Sequence, residues 1–149
     1  MKSASSPNAN VLLVDDNRDG LLVRRALLEE QGFLVHIARN GEEGLKLVDR
    51  SPIDVVITEY RLPTISGIEL IGRIRQSSMH TRIVLLSSLV EPLGLTEQST
   101  GADAVVAKNS REASNLVRTV RRLVNRAARP ARKPPASHRV SGSLARVRA

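Results

Sequence analysis

The sequence contains no cysteine and no tryptophan, and only one phenylalanine and one tyrosine. Without cysteine the chain can form neither disulfides nor Cys-ligated zinc or iron–sulfur sites. So few aromatic rings predict an aliphatic core and offer little surface on which nucleic-acid bases could stack. No apolar run approaches the roughly 18 residues needed to cross a bilayer, and the polar first ten residues lack the apolar centre of a signal peptide. These absences favour a cytoplasmic protein.

Acidic side chains are missing from one part of the chain. The first 125 residues contain 16 basic and 15 acidic side chains, whereas residues 126–149 contain seven basic ones and no acidic one. The net charge of +8 therefore belongs mainly to this C-terminal segment, where prolines, arginines and serines follow one another without apolar periodicity. We predict a polar leader over residues 1–9, one folded domain over residues 10–125 and a basic, disordered tail over residues 126–149.

Short apolar runs alternate with segments of helical periodicity through the predicted domain. Such alternation predicts an α/β fold, with a doubly wound parallel sheet, helices on both faces and right-handed crossovers. The runs that predict strands are residues 10–14, 33–38, 53–58, 82–86 and 104–107.

The intervening segments predict five helices. The fourth should be short or irregular, because Pro92 and Gly94 interrupt it. Asn17 or Asp19 can cap the first helix, and Ser110 can cap the last. The side chains expected to form the buried stripe of the first helix are Leu21, Leu22, Ala26, Leu27 and Leu28.

Polar side chains follow the apolar runs at the point where each predicted strand ends. The run at 55–58 ends in Glu59, and turn-forming residues follow it. The carboxyl ends of parallel strands open onto one edge of a sheet, so residues at these positions should converge. The residues at the other strand ends are Asp15, Asp16, Ser87 and Lys108.

Three carboxylates in one small pocket would repel one another. At about 4 Å and an effective dielectric of about 20, each pair costs roughly 4 kcal/mol. A cation must therefore lie among them, or one carboxyl must hold a proton. Oxygen ligands without histidine or cysteine suit Mg²⁺, and Lys108 adds a second positive charge. The set predicts a site that handles a phosphoryl group, in which the carboxylate is the nucleophile.

The order and spacing of these motifs resemble the receiver domain of bacterial two-component response regulators. The resemblance covers about residues 10–125 and implies a flavodoxin-like (CheY-like) fold with a sheet of order 2-1-3-4-5. It also implies that the protein acts in phosphorelay signalling and is not an enzyme. The matching strings are VLLVDDN at 11–17, VVITEYRLPTISGIELIGRIR at 55–75, IVLLSS at 83–88 and GADAVVAK at 101–108.

The resemblance also implies a role for each site residue. Glu59 occupies the phosphoacceptor position, and Asp15 and Asp16 would be the acidic pair that holds Mg²⁺ with it. Arg61 would add its backbone carbonyl to the metal. Ser87 would be the switch hydroxyl, and Lys108 the lysine that pairs with the phosphoryl group. Val105 stands at the position of the switch aromatic residue.

Three positions depart from the family pattern. Glu59 stands where the family normally has aspartate, and the extra methylene extends the carboxylate by roughly 1.3–1.5 Å, a shift to which in-line attack is sensitive. Such a carboxylate could instead reach Lys108 or Ser87 and imitate the phosphorylated state. Val105 replaces an aromatic residue, and Asn109 replaces the proline after the lysine, which makes a cis peptide there unfavourable. We therefore predict a pseudo-receiver in which Mg²⁺ binding is weakened or lost.

Other interpretations remain open. The chain could be a conventional response regulator phosphorylated at Glu59 or at Thr58. It could bind nucleic acid or another acidic partner through its tail, or it could be a Mg²⁺-dependent phosphohydrolase. The 24 residues after Asn125 are too few for a winged helix, so a folded DNA-binding domain is not expected. The expected partners are a sensor histidine kinase, a downstream signalling protein or a second copy, bound through the fourth helix, fifth strand and fifth helix.

Overall fold

A computed structural model describes residues 8–126 and has at its centre a parallel sheet of five strands. The strand order is β2-β1-β3-β4-β5, which confirms the predicted sheet order 2-1-3-4-5. The strands are β1 Asn10–Val14, β2 Leu34–Ala38, β3 Val55–Thr58, β4 Arg82–Ser87 and β5 Ala104–Ala107.

Helices cover both faces of the sheet because each central strand carries apolar side chains on both of its sides. Val11 and Leu13 of β1 point into one buried cluster, whereas Leu12 and Val14 point into the other. The first and last helices close the former cluster, and the second and third helices close the latter. The helices are α1 Arg18–Glu30, α2 Gly41–Arg50, α3 Gly67–Ser77, α4 Val90–Leu93, α5 Glu97–Thr100 and α6 Glu112–Asn125.

The predicted fourth helix is two four-residue helices, α4 and α5. Gly94 ends α4 in the left-handed region with a φ of +60°, a conformation that glycine adopts without steric cost. A new helix then begins after Thr96, whose hydroxyl accepts a hydrogen bond from the Ser99 N–H. The prediction of a short or irregular helix is confirmed.

Two details of the predicted helices are wrong. Leu22 and Ala26 are exposed, and only Leu21 and Leu28 of α1 are fully buried, because these two lie on the side of the helix that meets the sheet. Ser110 does not cap α6. This helix begins after Arg111 without a side-chain cap.

The described residues contain no cis peptide bond and no helix long and apolar enough to cross a membrane. Most of the predicted leader over residues 1–9 and most of the predicted tail over residues 126–149 lie outside the described range. Their predicted character stays a prediction.

Candidate functional site

The register of the strands brings three of the predicted site residues together. Val14 pairs with Thr58 across β1 and β3, so Asp15 and Glu59 both follow at the same level of the sheet. Ser87 pairs with Ala107, and Lys108 lies one residue beyond. The residues that line the resulting cavity of about 350 Å³ are Asp15, Asp16, Asn17, Glu59, Arg61, Ser88, Leu89 and Lys108.

The Glu59 carboxylate is held at both of its oxygens. Oε1 accepts a hydrogen bond of 2.7 Å from Nζ of Lys108. Oε2 accepts one of 2.6 Å from the backbone N–H of Tyr60 and a longer one of 3.3 Å from that of Arg61. The extra methylene of glutamate thus allows the side chain to fold back over its own turn while it reaches the lysine. It does so without contacting Ser87.

Lys108 is the cation between the two strands. Its ammonium donates to Oδ2 of Asp15 at 2.9 Å as well as to Glu59. Burial acts to lower the Lys108 pKa, but the hydrogen bonds to Glu59 and Asp15 and their negative charges outweigh it, so the pKa lies above its ordinary value of 10.5. Lys108 therefore stays charged at neutral pH and joins β1, β3 and β5 at one point.

Asp15 and Asp16 differ in their surroundings. Asp15 is 6% exposed, and its Oδ1 accepts a hydrogen bond of 3.0 Å from the backbone N–H of Asn17. Asn17 in turn caps α1 by accepting from the N–H of Gly20 at 2.9 Å. Asp16 is exposed at the rim of the cavity. Of the acidic pair, Asp15 is therefore buried and hydrogen-bonded within the chain, whereas Asp16 faces solvent.

A second cation, Arg24, lies beside Asp15, and the sequence analysis missed it. Its Nη1 lies 3.7 Å from Oδ2 of Asp15, and its Nε and Nη2 donate to the Glu112 carboxylate at 2.5 and 3.3 Å. The sequence does carry a pattern that indicates the position of Arg24, which lies three residues after Leu21 and four before Leu28. These spacings place a charged residue on the buried side of α1.

Of the two serines at the end of β4, Ser87 was expected to line the site, but Ser88 lines it. Ser87 is fully buried, and its Oγ accepts a hydrogen bond of 3.1 Å from the N–H of Leu89. The exposed Ser88 lines the cavity instead. The serine that lines the cavity is therefore Ser88 and not the predicted Ser87.

The remaining predicted positions surround the pocket at a distance. Thr58 is fully buried and donates to the Glu59 carbonyl at 3.0 Å, so its hydroxyl does not face the cavity. Val105 lies in β5 opposite Leu85 and packs, partly buried, against one core cluster. Arg61 is exposed at the rim.

The loop between β3 and α3 approaches the site closely. A Cβ at Gly67 would lie 2.1 Å from the carbonyl oxygen of Glu59, so only glycine permits this approach. The N–H of Gly67 donates to the Tyr60 carbonyl at 2.8 Å. Thr64, in the same loop, has a φ of +69°, which costs a non-glycine residue energy. The loop thus keeps the residues that follow Glu59 against the strand end.

The carboxylates suit Mg²⁺ by their chemistry, since they offer only oxygen, but their arrangement does not fit it. The oxygens of Asp15 and Glu59 already accept hydrogen bonds from Lys108 and from backbone N–H groups. Within residues 8–126, no three His, Cys, Asp or Glu side chains lie close enough together to hold a metal ion. A divalent cation would have to displace the ammonium or turn the carboxylates.

Comparisons with solved structures find the same architecture. The receiver CheY4 of Vibrio cholerae is similar at a TM-score of 0.70 with 27% identity, over 78% of this chain and 99% of that one. The response regulator TrrA of Thermotoga maritima, solved in complex with Mg²⁺-BeF, is similar at a TM-score of 0.70 with 30% identity, over 77% of this chain and 98% of that one.

Comparisons of sequence agree. The transcriptional regulatory protein CpxR of Escherichia coli is 36% identical over 121 residues, which are 78% of this chain and 49% of the relative. The chain therefore spans about half the length of this relative. The family model of the response regulator receiver domain matches residues 11–121. The chain belongs to the response regulator receiver domain family.

Proposed function

We propose that this chain is a pseudo-receiver, a signalling domain of a two-component system that keeps the receiver fold but no longer switches by phosphorylation. Glu59 takes the phosphoacceptor position, and its carboxylate holds the contacts that a phosphoryl group would otherwise make. The domain then works by protein–protein contact and not as an enzyme.

One observation carries the proposal, the hydrogen bond of 2.7 Å between Glu59 Oε1 and Lys108 Nζ. A charged group that extends from the end of β3 to this lysine is what the resemblance implies for the phosphorylated receiver. Here the carboxylate supplies the negative charge permanently. Its other oxygen is held by the Tyr60 N–H at 2.6 Å, so neither oxygen is free for in-line attack on a phosphoryl donor.

Mg²⁺ has a reduced role in this proposal. The buried Asp15 and the partly buried Glu59 are both neutralised by the chain's own groups, and only Asp16 remains free at the rim. We expect Mg²⁺ to bind weakly, with Asp16 and the Arg61 carbonyl as the ligands still accessible to it. Were it bound, it would supply a further positive charge next to Glu59.

A conventional phosphorylated regulator is the main alternative. Thr58 is a poor acceptor in this arrangement, because its hydroxyl is buried and donates to a backbone carbonyl. Phosphorylation of Glu59 would first require its carboxylate to leave Lys108 and Tyr60. A phosphohydrolase would also need the Glu59 carboxylate to be free of these contacts. The geometry therefore favours a phosphohydrolase no more than it favours a conventional phosphorylated regulator.

The partners that we propose are a sensor histidine kinase or a downstream signalling protein in the cytoplasm. The contact face would be formed by α4, α5, β5 and α6, where Leu93 is 51% exposed. Homodimerisation through this face and binding of an acidic partner by the tail are the competing possibilities, which light scattering and salt-dependent binding would reveal. The arginines that we expected to make this face basic are Arg111, Arg118, Arg121 and Arg122, and all four are exposed. Arg118 and Arg121, however, line a groove between α6 and α1, where Arg121 donates to Gln31.

Intact mass after incubation with acetyl phosphate and Mg²⁺ tests the proposal, with the variant Glu59→Asp run in parallel. We expect the wild type to gain no phosphoryl group and the variant to gain one, because aspartate is shorter and cannot hold the same contacts. A wild type that is modified as fast as the variant would refute the pseudo-receiver. The modified residue would then be located by peptide mapping.

A further inference from the structure

Arg24 is a charged side chain with one buried nitrogen that has no hydrogen-bond partner among the described residues. Its side chain is 13% exposed. The buried nitrogen is Nη1. A buried guanidinium nitrogen without a partner is costly, so its position beside the pocket requires a reason.

That nitrogen faces Asp15. Nη1 lies 3.7 Å from Oδ2 of Asp15, the same oxygen that accepts from Lys108. The rest of the guanidinium is held by two hydrogen bonds, from Nε and Nη2, to the Glu112 carboxylate at the start of α6. A two-pronged pair of this kind orients the guanidinium, so the direction of Nη1 is set by α6.

The neighbouring glycine makes room for this placement. A Cβ at Gly20 would lie 2.5 Å from Nη1 of Arg24, one helical turn away. Glycine inside a helix is unfavourable, and here it allows the guanidinium to reach Asp15. Two independent features, the Glu112 pair and the space over Gly20, therefore place the same atom.

We propose that Arg24 is the built-in cation of the pocket. It neutralises Asp15 from the side of α1 while Lys108 does so from β5, and it thereby disfavours a divalent metal between Asp15 and Glu59. Arg24 is a positioning residue, and through Glu112 it also couples the pocket to the start of α6. The inference rests on the proposed pseudo-receiver and names the residue that makes the pocket independent of Mg²⁺.

The test is a titration of the full chain with MgCl₂ at constant ionic strength, followed by the fluorescence of Tyr60. This residue is the only tyrosine, no tryptophan is present, and its N–H contacts Glu59. Asp15→Asn gives the baseline for non-specific binding. We expect Arg24→Leu to bind Mg²⁺ about tenfold more tightly than the wild type, which corresponds to only about 1.4 kcal/mol.

Matched variants separate charge from folding. Arg24→Lys should restore weak binding, and Arg25→Leu, which removes an exposed arginine of the same helix, should not change it. Gly20→Ala removes no charge but displaces the guanidinium, so we expect about threefold tighter binding together with an unchanged or higher melting temperature. Gly72→Ala is its control, because a Cβ there meets no atom within 4 Å.

Gly20→Ala keeps the inference testable should Arg24→Leu fail to fold. If wild type, Arg24→Leu and Gly20→Ala all remain at the Asp15→Asn baseline, Arg24 is not the excluding cation, and the pseudo-receiver stands. If the wild type binds Mg²⁺ well above the Asp15→Asn baseline and as tightly as Arg24→Leu, the inference fails together with the weak Mg²⁺ binding of the proposed function. Phosphorylation of Glu59 is decided separately, by the mass measurement.

Discussion

Ion pairs with little solvent exposure lie at both ends of the strands, at the amino edge and at the carboxyl edge of the sheet, and their surroundings differ. At the amino edge, Arg75 and Asp103 meet at 2.7 Å with side chains 9% and 3% exposed. The guanidinium of Arg75 also donates to the carbonyls of Thr81 and Gly101 at 2.8 and 3.2 Å. Asp103 accepts in addition from the N–H of Ile83 at 2.8 Å. The guanidinium and Oδ2 of Asp103 thus hydrogen-bond to each other and to backbone groups, although Oδ1 of Asp103 has no partner among the described residues.

The carboxyl edge has similar charges around a cavity. Lys108 holds Asp15 and Glu59 at 2.9 and 2.7 Å, but water can reach the carboxylates from the cavity side. The amino edge is therefore arranged for stability, whereas the carboxyl edge keeps charges that could be rearranged. Breaking each edge in turn tests this distinction.

The largest effect should come from Arg75→Leu. It leaves the Asp103 carboxylate buried and unpaired, with Oδ1 already lacking a partner among the described residues, so we expect a loss of about 3–4 kcal/mol in the free energy of unfolding. Urea denaturation measures it. The control Arg73→Leu removes an exposed pair with Glu69 and should cost less than about 0.5 kcal/mol. Equal losses would mean that the amino edge is not the stabilising one.

Lys108→Met should have a smaller effect on stability. It removes two charge-assisted hydrogen bonds, but water in the cavity can solvate the carboxylates, so we expect a loss of about 2 kcal/mol. The same urea measurement applies. A loss as large as that of Arg75→Leu would show that the two edges are energetically alike and would remove the distinction drawn above.

The pH dependence of this contribution has a definite sign. The pKa of Lys108 is raised in the folded chain above its ordinary value of 10.5, so its stabilisation is fully present below that value and is lost as pH rises through the folded pKa. The stability difference between wild type and Lys108→Met should be constant from about pH 7 to 9.5 and shrink above it. A difference that already declines near pH 8 would contradict the raised pKa.

The smallest effects should separate the two serines. Ser87→Ala leaves the N–H of Leu89 without its acceptor and should cost about 1 kcal/mol. Ser88→Ala, at an exposed position on the cavity, should change the free energy of unfolding by less than about 0.5 kcal/mol. The reverse order in thermal melts would mean that the hydroxyl in the pocket, and not the buried one, supports the end of β4.

Much of the fold could be predicted from the sequence, because apolar runs and their polar ends are local signals. The runs that end at Asp15, Glu59 and Lys108 gave the strands and the edge at which the site lies. The burial of α1 was less predictable. Leu22 is 48% exposed although it is as apolar as Leu21, since the orientation of a helix depends on the surface that receives it.

The sequence by itself determined the sheet order, the edge that carries the site and the glutamate at the position where the resemblance implies an aspartate. The edge follows from the polar residues that end the apolar runs, whereas the sheet order and the position of Glu59 follow from the resemblance that the short motifs carry. Only the tertiary structure decided which charges meet. Lys108 lies 93 residues from Asp15, and Arg24 lies 88 residues from Glu112, so no local pattern relates them. The contacts arise because parallel strands and the helices beside them bring distant residues to one edge, where each charge must find a partner.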